Sequence, residues 1–221
     1  MSQKTLAIDT AGPVIGVALR IGAQCWVETE RVQRGAEARL VPWALELCRR
    51  GRISLSGLDG IVVSNGPGAF TGIRVGLATS MGLAMSAGLP ALGVLSLTPR
   101  AFRASGELVL SMLDARKGCV YAALYQERHL VEGPLDIDPS EALKWVDGRN
   151  FVATGEGAWV YRAVVEAAGG KLADEPCHPS VDVLAEIGAA AFARGEGVDP
   201  VGLRPVYLRE PDAKKRSPSM T

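Results

Sequence analysis

Polar and apolar positions alternate in two rhythms along this chain, and the rhythms follow the same order twice. Thr5–Asp9 is a short, almost unbroken apolar run, which predicts a buried strand. Val14–Ile21 and Cys25–Glu30 follow, set off by Ala11-Gly12-Pro13 and Gly22-Ala23, and the three runs predict a meander. The period then changes to that of a helix over Glu37–Arg50. Leu40, Trp43, Ala44, Leu47 and Cys48 make one apolar stripe, with Pro42 in the first turn or kinking it. Leu58–Ser64 predicts a strand and Asn65-Gly66-Pro67-Gly68 a tight turn. Gly72–Ala87 predicts a helix that Thr71 can cap and Gly88 can end, and Leu89–Val94 a fifth strand.

The second round begins at Leu108–Leu113, a predicted strand ending at Asp114. Cys119–Gln126 and His129–Glu132 predict two more strands, Ser140–Trp145 a short helix and Phe151–Thr154 a strand before the turn Gly155-Glu156-Gly157. Val160–Ala168 and Val181–Arg194 read as helices, the last capped by Ser180 or Asp182 and stopped by Gly195. A shift of 105 positions lays Asp9 on Asp114 and Val17-Ala18-Leu19 on Ala122-Ala123-Leu124. Two meander-plus-helix units in tandem predict the duplicated α/β, ribonuclease-H-like fold of the actin, sugar kinase and Hsp70 group (ASKHA). The expected subdomains are 1–105 and 106–209, with the last helix free to pack back on the first, and 210–221 as a polar tail.

Composition narrows the function classes. Hydrophobic residues make up 48% of the 221, enough to bury a core, and aromatics only 5%. The 24 basic and 24 acidic residues cancel, which argues against a protein built chiefly to grip nucleic acid. Lys214-Lys215-Arg216 lies in the Pro- and Ser-containing tail and reads as a solvated end. Met1–Thr5 runs straight into the first strand, with no signal-like apolar stretch and no membrane-length window elsewhere. Cys25, Cys48, Cys119 and Cys177 form no CxxC pair, which fits free thiols and a cytoplasmic location.

In this fold a turn after a strand holds phosphate, using an acid, a glycine and a hydroxyl. The first turn, Asp9-Thr10-Ala11-Gly12, has the acid and hydroxyl but lacks the pattern Asp-x-Gly-x-Thr, and Asp114-Ala115-Arg116-Lys117-Gly118 is no closer. Asp9, Thr10 and Asp114 therefore read as a vestigial nucleotide site. The block Gly66, Pro67, Gly68, Phe70, Thr71, Gly72 supports two readings: an anion cradle at a helix start, helped by Arg74, or a tight turn that needs no ligand. His129 and His178 stand 49 residues apart, so no helical histidine pair offers a metal site.

The helix Gly72–Ala87 is apolar on both sides, and Arg74 is its one charge. Gly72, Gly76, Thr79 and Ser80 share one side; Ile73, Leu77, Met81, Ala84 and Met85 share the other. Such a helix is buried on both sides, against a sheet and against a second helix or subunit. Small residues suit the sheet. The expected partner surface is then Ile73, Arg74, Leu77, Met81 and Met85 beside Leu40, Trp43 and Leu47 of the first helix. The competing arrangement sandwiches the helix wholly within one chain.

Four segments together resemble the TsaB (YeaZ) family: Leu6-Ala7-Ile8-Asp9-Thr10, the block Asn65–Thr79, Leu113–Tyr121 and Pro205-Val206-Tyr207-Leu208-Arg209. The family's glycoprotease-like relatives are called peptidase M22. The resemblance implies a non-catalytic, actin-like subunit that makes threonylcarbamoyladenosine on tRNA with the catalytic subunit TsaD and the ATPase TsaE. It implies no cofactor of its own, with ATP and a metal ion on the partner subunits. It implies a homodimer when alone, through the helical surface that also pairs with TsaD, and contact with tRNA through the complex. A glycoprotease-like metallopeptidase is the alternative. The stretch Arg34-Gly35-Ala36-Glu37 departs from the His-Ser-like start often seen in the family.

Overall fold

A computed structural model describes residues 3–32, 35–173 and 179–210. Arg34, Cys177, His178 and the basic run of the tail lie outside the described residues. The first sheet is built from β1 (Lys4–Asp9), β2 (Val14–Ile21), β3 (Gln24–Arg31), β4 (Gly60–Ser64) and β5 (Ala91–Val94), in the order β3-β2-β1-β4-β5. The meander β1-β2-β3 is antiparallel, while β4 joins β1 and β5 joins β4 in parallel. The second sheet repeats this connectivity with β6 (Leu108–Arg116), β7 (Cys119–Gln126), β8 (His129–Ile137), β9 (Val152–Thr154) and β10 (Lys171–Leu172), ordered β10-β9-β6-β7-β8. Two copies of one strand order define the duplicated ribonuclease-H-like fold.

Each sheet buries one face under its own helices. A 3-10 turn at Ala36–Arg39 leads into α1 (Leu40–Arg50), so Pro42 sits in the first turn, where its missing N–H costs no ladder bond. α1 and α2 (Phe70–Ala87) share one core with the first sheet, through Leu40, Leu47, Ile73, Leu77, Leu83 and Ala84. α2 starts with Ala69 at its N-cap, so the expected cap Thr71 lies inside the first turn; Gly88 ends the helix in the left-handed region. On the second sheet, α4 (Pro139–Lys144), α5 (Glu156–Val160) and α6 (Arg162–Ala167) close a separate core. The single helix expected over Val160–Ala168 is thus two short ones, broken at Tyr161.

The opposite faces are covered by exchange. α7 (Val181–Ala193), from the second half of the chain, packs on Ala7, Ala18 and Val62 of the first sheet. α3 (Leu97–Arg103), which the apolar pattern does not predict, packs on Val109, Leu113, Ala123 and Tyr125 of the second. Arg103 of α3 reaches Asp182 of α7, and its Nε donates to Ser180 Oγ at 3.1 Å, so the two exchanged helices join the halves. Ser180 is the N-cap residue of α7, as expected, but its side chain makes no cap hydrogen bond to that helix. β8 runs on to Ile137, past the Gly133-Pro134 step that reads as its end. It is an edge strand, where a proline removes no needed donor, and its pairing with β7 shifts register there.

Candidate functional site

β1 ends at Asp9, buried beneath a cleft between the halves that the next residues, Thr10, Ala11 and Gly12, line. Asp9 Oδ1 accepts the Ala11 N–H at 2.9 Å, and Arg100 Nη1 of α3 donates to Oδ2 at 3.0 Å. The two side chains are 0% and 3% exposed, and a charge so far from water requires a partner of opposite sign. Thr10 Oγ1 donates to the Gly72 carbonyl at 2.7 Å, and the Ala69 N–H donates to the Ala11 carbonyl at 2.8 Å. The acid and hydroxyl that a phosphate turn would present are therefore engaged within the chain. The glycines of the 66–76 block account for the closeness: a Cβ on Gly68 would overlap the Ala11 carbonyl, and one on Gly72 or Gly76 would overlap Thr10. Close packing thus accounts for these glycines, and Pro67–Gly72 also line the cleft.

The cleft measures about 1040 Å³ and opens between Thr10, Gly12, Phe70, Asp114, Glu156 and Tyr207. Asp114 repeats the local bond of Asp9, its Oδ1 accepting the Arg116 N–H at 2.9 Å. Its cation is different: Arg116 Nε stands 3.7 Å from Oδ2 on a side chain that is 85% exposed. Glu156, in the first turn of α5, completes the floor. Burial pushes its carboxyl above the usual range; Arg100 opposes that rise, and the charges of Asp9 and Asp114 add to it. Among the described residues, Glu156 Oε2 has no hydrogen-bond partner. Among the same residues, no three His, Cys, Asp or Glu side chains are placed to hold a metal ion.

A family model described as TsaD, tRNA N6-adenosine threonylcarbamoyltransferase, matches residues 27–192. The tRNA threonylcarbamoyladenosine biosynthesis protein TsaB of Escherichia coli is 31% identical, over 98% of this chain and 99% of its own. The chain belongs to the TsaB (YeaZ) family. A solved structure, YeaZ from Pseudomonas aeruginosa, superposes with a TM-score of 0.81 at 29% identity, covering 93% of this chain and 100% of that one. An uncharacterised Mycobacterium leprae protein is 34% identical over 95% of this chain, which spans 55% of that relative's length.

The segments that carry the TsaB resemblance meet in space. The start of the Pro205–Arg209 segment lies against the 65–74 loop: the Val206 N–H donates to the Asn65 carbonyl at 2.7 Å. Phe70 stacks on Tyr207 with ring centroids 4.7 Å apart, and the Arg74 guanidinium sits 4.1 Å over the Phe70 ring. Arg74, expected either to hold a phosphate or to sit at an exposed edge, donates to Tyr207 Oη at 3.2 Å.

The outward assignment made for α1 and α2 needs correction. Leu40, Leu47 and Ile73 are 0% exposed and Leu77 6%, all within the first core. The buried stripe of α2 is Ile73, Gly76, Leu77, Ser80, Leu83 and Ala84, so its axis lies between the two sides assigned from sequence. Gly76 and Ser80 face inward as expected, while Met81 and Trp43 are half-buried against the core. The outward face holds Arg74, Ala78, Gly82 and Met85, which is 59% exposed, with Val41 and Leu45 of α1 also exposed at 42% and 52%.

Arg100, beneath the cleft, escaped sequence reasoning altogether, while Glu156 and Tyr207 were read only as letters of a turn and of a family segment. Arg100 carried one usable signal, the Ser96-Leu97-Thr98-Pro99 run, with a hydroxyl and then a proline in what proves to be a first helical turn. Glu156 gave none beyond its Gly-flanked turn.

Proposed function

We propose that this chain is a non-catalytic subunit in the synthesis of threonylcarbamoyladenosine on tRNA, supporting TsaD together with the ATPase TsaE. One observation carries the non-catalytic part: the buried Asp9–Arg100 pair. An acid that has to order a metal or water for phosphate chemistry needs an open coordination side. Here a guanidinium from the same chain takes that side, and Thr10 is spent on Gly72. Membership of the TsaB family supports the pathway. On this reading ATP and its metal ion are handled by the partner subunits, tRNA is met through the assembled complex, and the work is cytoplasmic.

The outer face of α2 with Val41 and Leu45 of α1 is the surface on which a partner would dock, TsaD in the complex or a second copy when alone. Ala78 and Gly82 let another helix come close, and Met85 repacks readily against either partner. Reconstitution with TsaD, TsaE, threonylcarbamoyl-adenylate and tRNA, leaving out one protein at a time, tests the reading. Modification should require this chain, and Asp9→Asn protein that still folds should support it. Met85→Glu should give a folded monomer that fails to support modification, read by light scattering and circular dichroism. Modification that proceeds without this chain would reject the role, and Met85→Glu protein that still pairs would reject the surface.

A further inference from the structure

We propose that Leu203–Arg209 is a latch: this segment, which belongs to neither sheet, spans the mouth of the cleft and ties the loop before α2 to β6 and β8 of the second sheet, with Arg209 and Asp136 as its catch. The near end is rooted in the first half. Leu203 is buried in the first core, Asn65 Nδ2 donates to the Arg204 carbonyl at 3.1 Å and the Val206 N–H returns to the Asn65 carbonyl at 2.7 Å. Gly66, with φ of 112°, lies so close that a Cβ there would overlap the Val206 carbonyl. The middle is the stack of Tyr207, Phe70 and Arg74. The far end is rooted in the second half: Arg209 Nε and Nη2 donate to the two oxygens of Asp136 on β8 at 2.6 and 2.8 Å, and Nη1 to the Ala115 carbonyl at 2.8 Å.

Seven residues thus cross from one half to the other without helix or strand. Their position depends on these contacts, and only Leu203 of the segment is fully buried. Releasing the far end exposes little apolar surface, so it is a low-cost local opening rather than global unfolding. The catch is a two-pronged guanidinium–carboxylate pair with side chains 26% and 12% exposed, which sets it above an ordinary surface ion pair. Arg74 belongs both to the stack and to the exposed face of α2, so the state of the latch is presented on that face.

Amide hydrogen exchange on the full chain tests this, with the Val206 N–H as reporter and the β1 and β6 amides of Leu6 and Leu110 as controls. Arg209→Gln and Asp136→Asn should each speed exchange at Val206 by about tenfold or more while the controls hold. The double variant should be no faster than Arg209→Gln alone, because both changes open the same catch. Unchanged Val206 protection, equal acceleration in β1 and β6, or additive effects in the double variant would each overturn the latch.

Discussion

Two turns of common design, one in each half, have met opposite fates. Both place an aspartate where the first strand runs into its turn, Asp9 as the last residue of β1 and Asp114 two residues before the end of β6, and both use its Oδ1 to accept the N–H two residues on, at 2.9 Å. In the first half the remaining oxygen is sealed by Arg100 from α3, and the 66–76 loop packs over the turn. In the second half the ion pair of Asp114 among the described residues is a long, exposed contact with Arg116, and Gly118 has nothing within 4 Å of where a Cβ would stand. The lesson is that the local hydrogen bond is a property of the turn, whereas the electrostatic role is set by which neighbouring element supplies the counter-charge. Exchange of α3 and α7 between the sheets matters here, because α3 brings Arg100 to Asp9 from the side of the second sheet.

The comparison is broken most severely by removing the first turn's cation. Arg100→Met leaves the Asp9 carboxylate buried without a charge partner and should cost about 3–5 kcal/mol in urea unfolding. Asp9→Asn added to it should recover part of that loss, since no unpaired charge then remains. A loss below about 1 kcal/mol, the scale of a surface pair, would mean that water reaches Asp9 and that the two turns do not differ as described. Glycine exchange gives the next contrast. Gly72→Ala drives a methyl into the Thr10 carbonyl, where backbone has to shift, at a cost of about 1–3 kcal/mol or more. Gly118→Ala meets open space and bears only the cost of its left-handed φ of 81°, about 1–2 kcal/mol. Gly72→Ala should also loosen the Ala69-to-Ala11 hydrogen bond, visible as faster exchange at Ala69, and Gly118→Ala should not.

The fold was legible in the sequence wherever burial follows periodicity. Val14–Ile21 and Cys119–Gln126 are strands at the expected residues, and Gly88 stops α2 where the chain needs a left-handed residue. Periodicity failed where a buried residue is polar or a helix is apolar all round. Arg100 is 3% exposed, yet any pattern scores an arginine as solvent-facing; only Asp9, 91 residues away, explains it. On α2, Gly, Ser and Thr mark a surface that another element can approach closely, but not whether that element is a sheet or a partner. Thr10 and Val63 decide it at Gly76, and Met85 is left outside. The candidate site was half readable: Asp9 ends β1 as expected and Thr10 opens the turn, whereas β6 runs on past a register shift to Arg116, so Asp114 lies two residues inside its strand. The reading of a vestigial phosphate turn rested on missing glycine and threonine letters; the structure adds that Asp9 is bonded to Arg100 and Thr10 to Gly72.

Glu156 sharpens the contrast through pH. Its carboxyl is raised above its ordinary value of 4.5, chiefly by burial. A raised acid binds more protons in the folded state than in the unfolded one, so it costs nothing at a pH below both values. The cost grows as pH climbs from the ordinary value through the raised one. Glu156→Gln should therefore leave stability unchanged near pH 4 and raise it at pH 7, read as the difference between two unfolding titrations. A variant that is destabilised at pH 7 would show that the Glu156 charge is held by Arg100 rather than penalised by burial.

The smallest effect is expected at Asp114, and it is the most discriminating. Asn at this position retains an oxygen that can accept the Arg116 N–H, so the turn's own bond survives. What is lost is an ion pair at 3.7 Å to a side chain that is 85% exposed, which is worth about 0–1 kcal/mol and screened by salt. Removing the Asp114 charge also relieves Glu156, whose carboxyl it helps to raise, and this works in the opposite direction. Asp114→Asn should therefore move stability by less than about 0.5 kcal/mol in either sense, with 0.5 M salt narrowing the difference further. The same substitution at Asp9 strands the buried Arg100 guanidinium and should cost several times more, with little response to salt because the site is dry. Equal losses at Asp9 and Asp114 would mean that the shared turn geometry, not the counter-charge, sets the energetics of both.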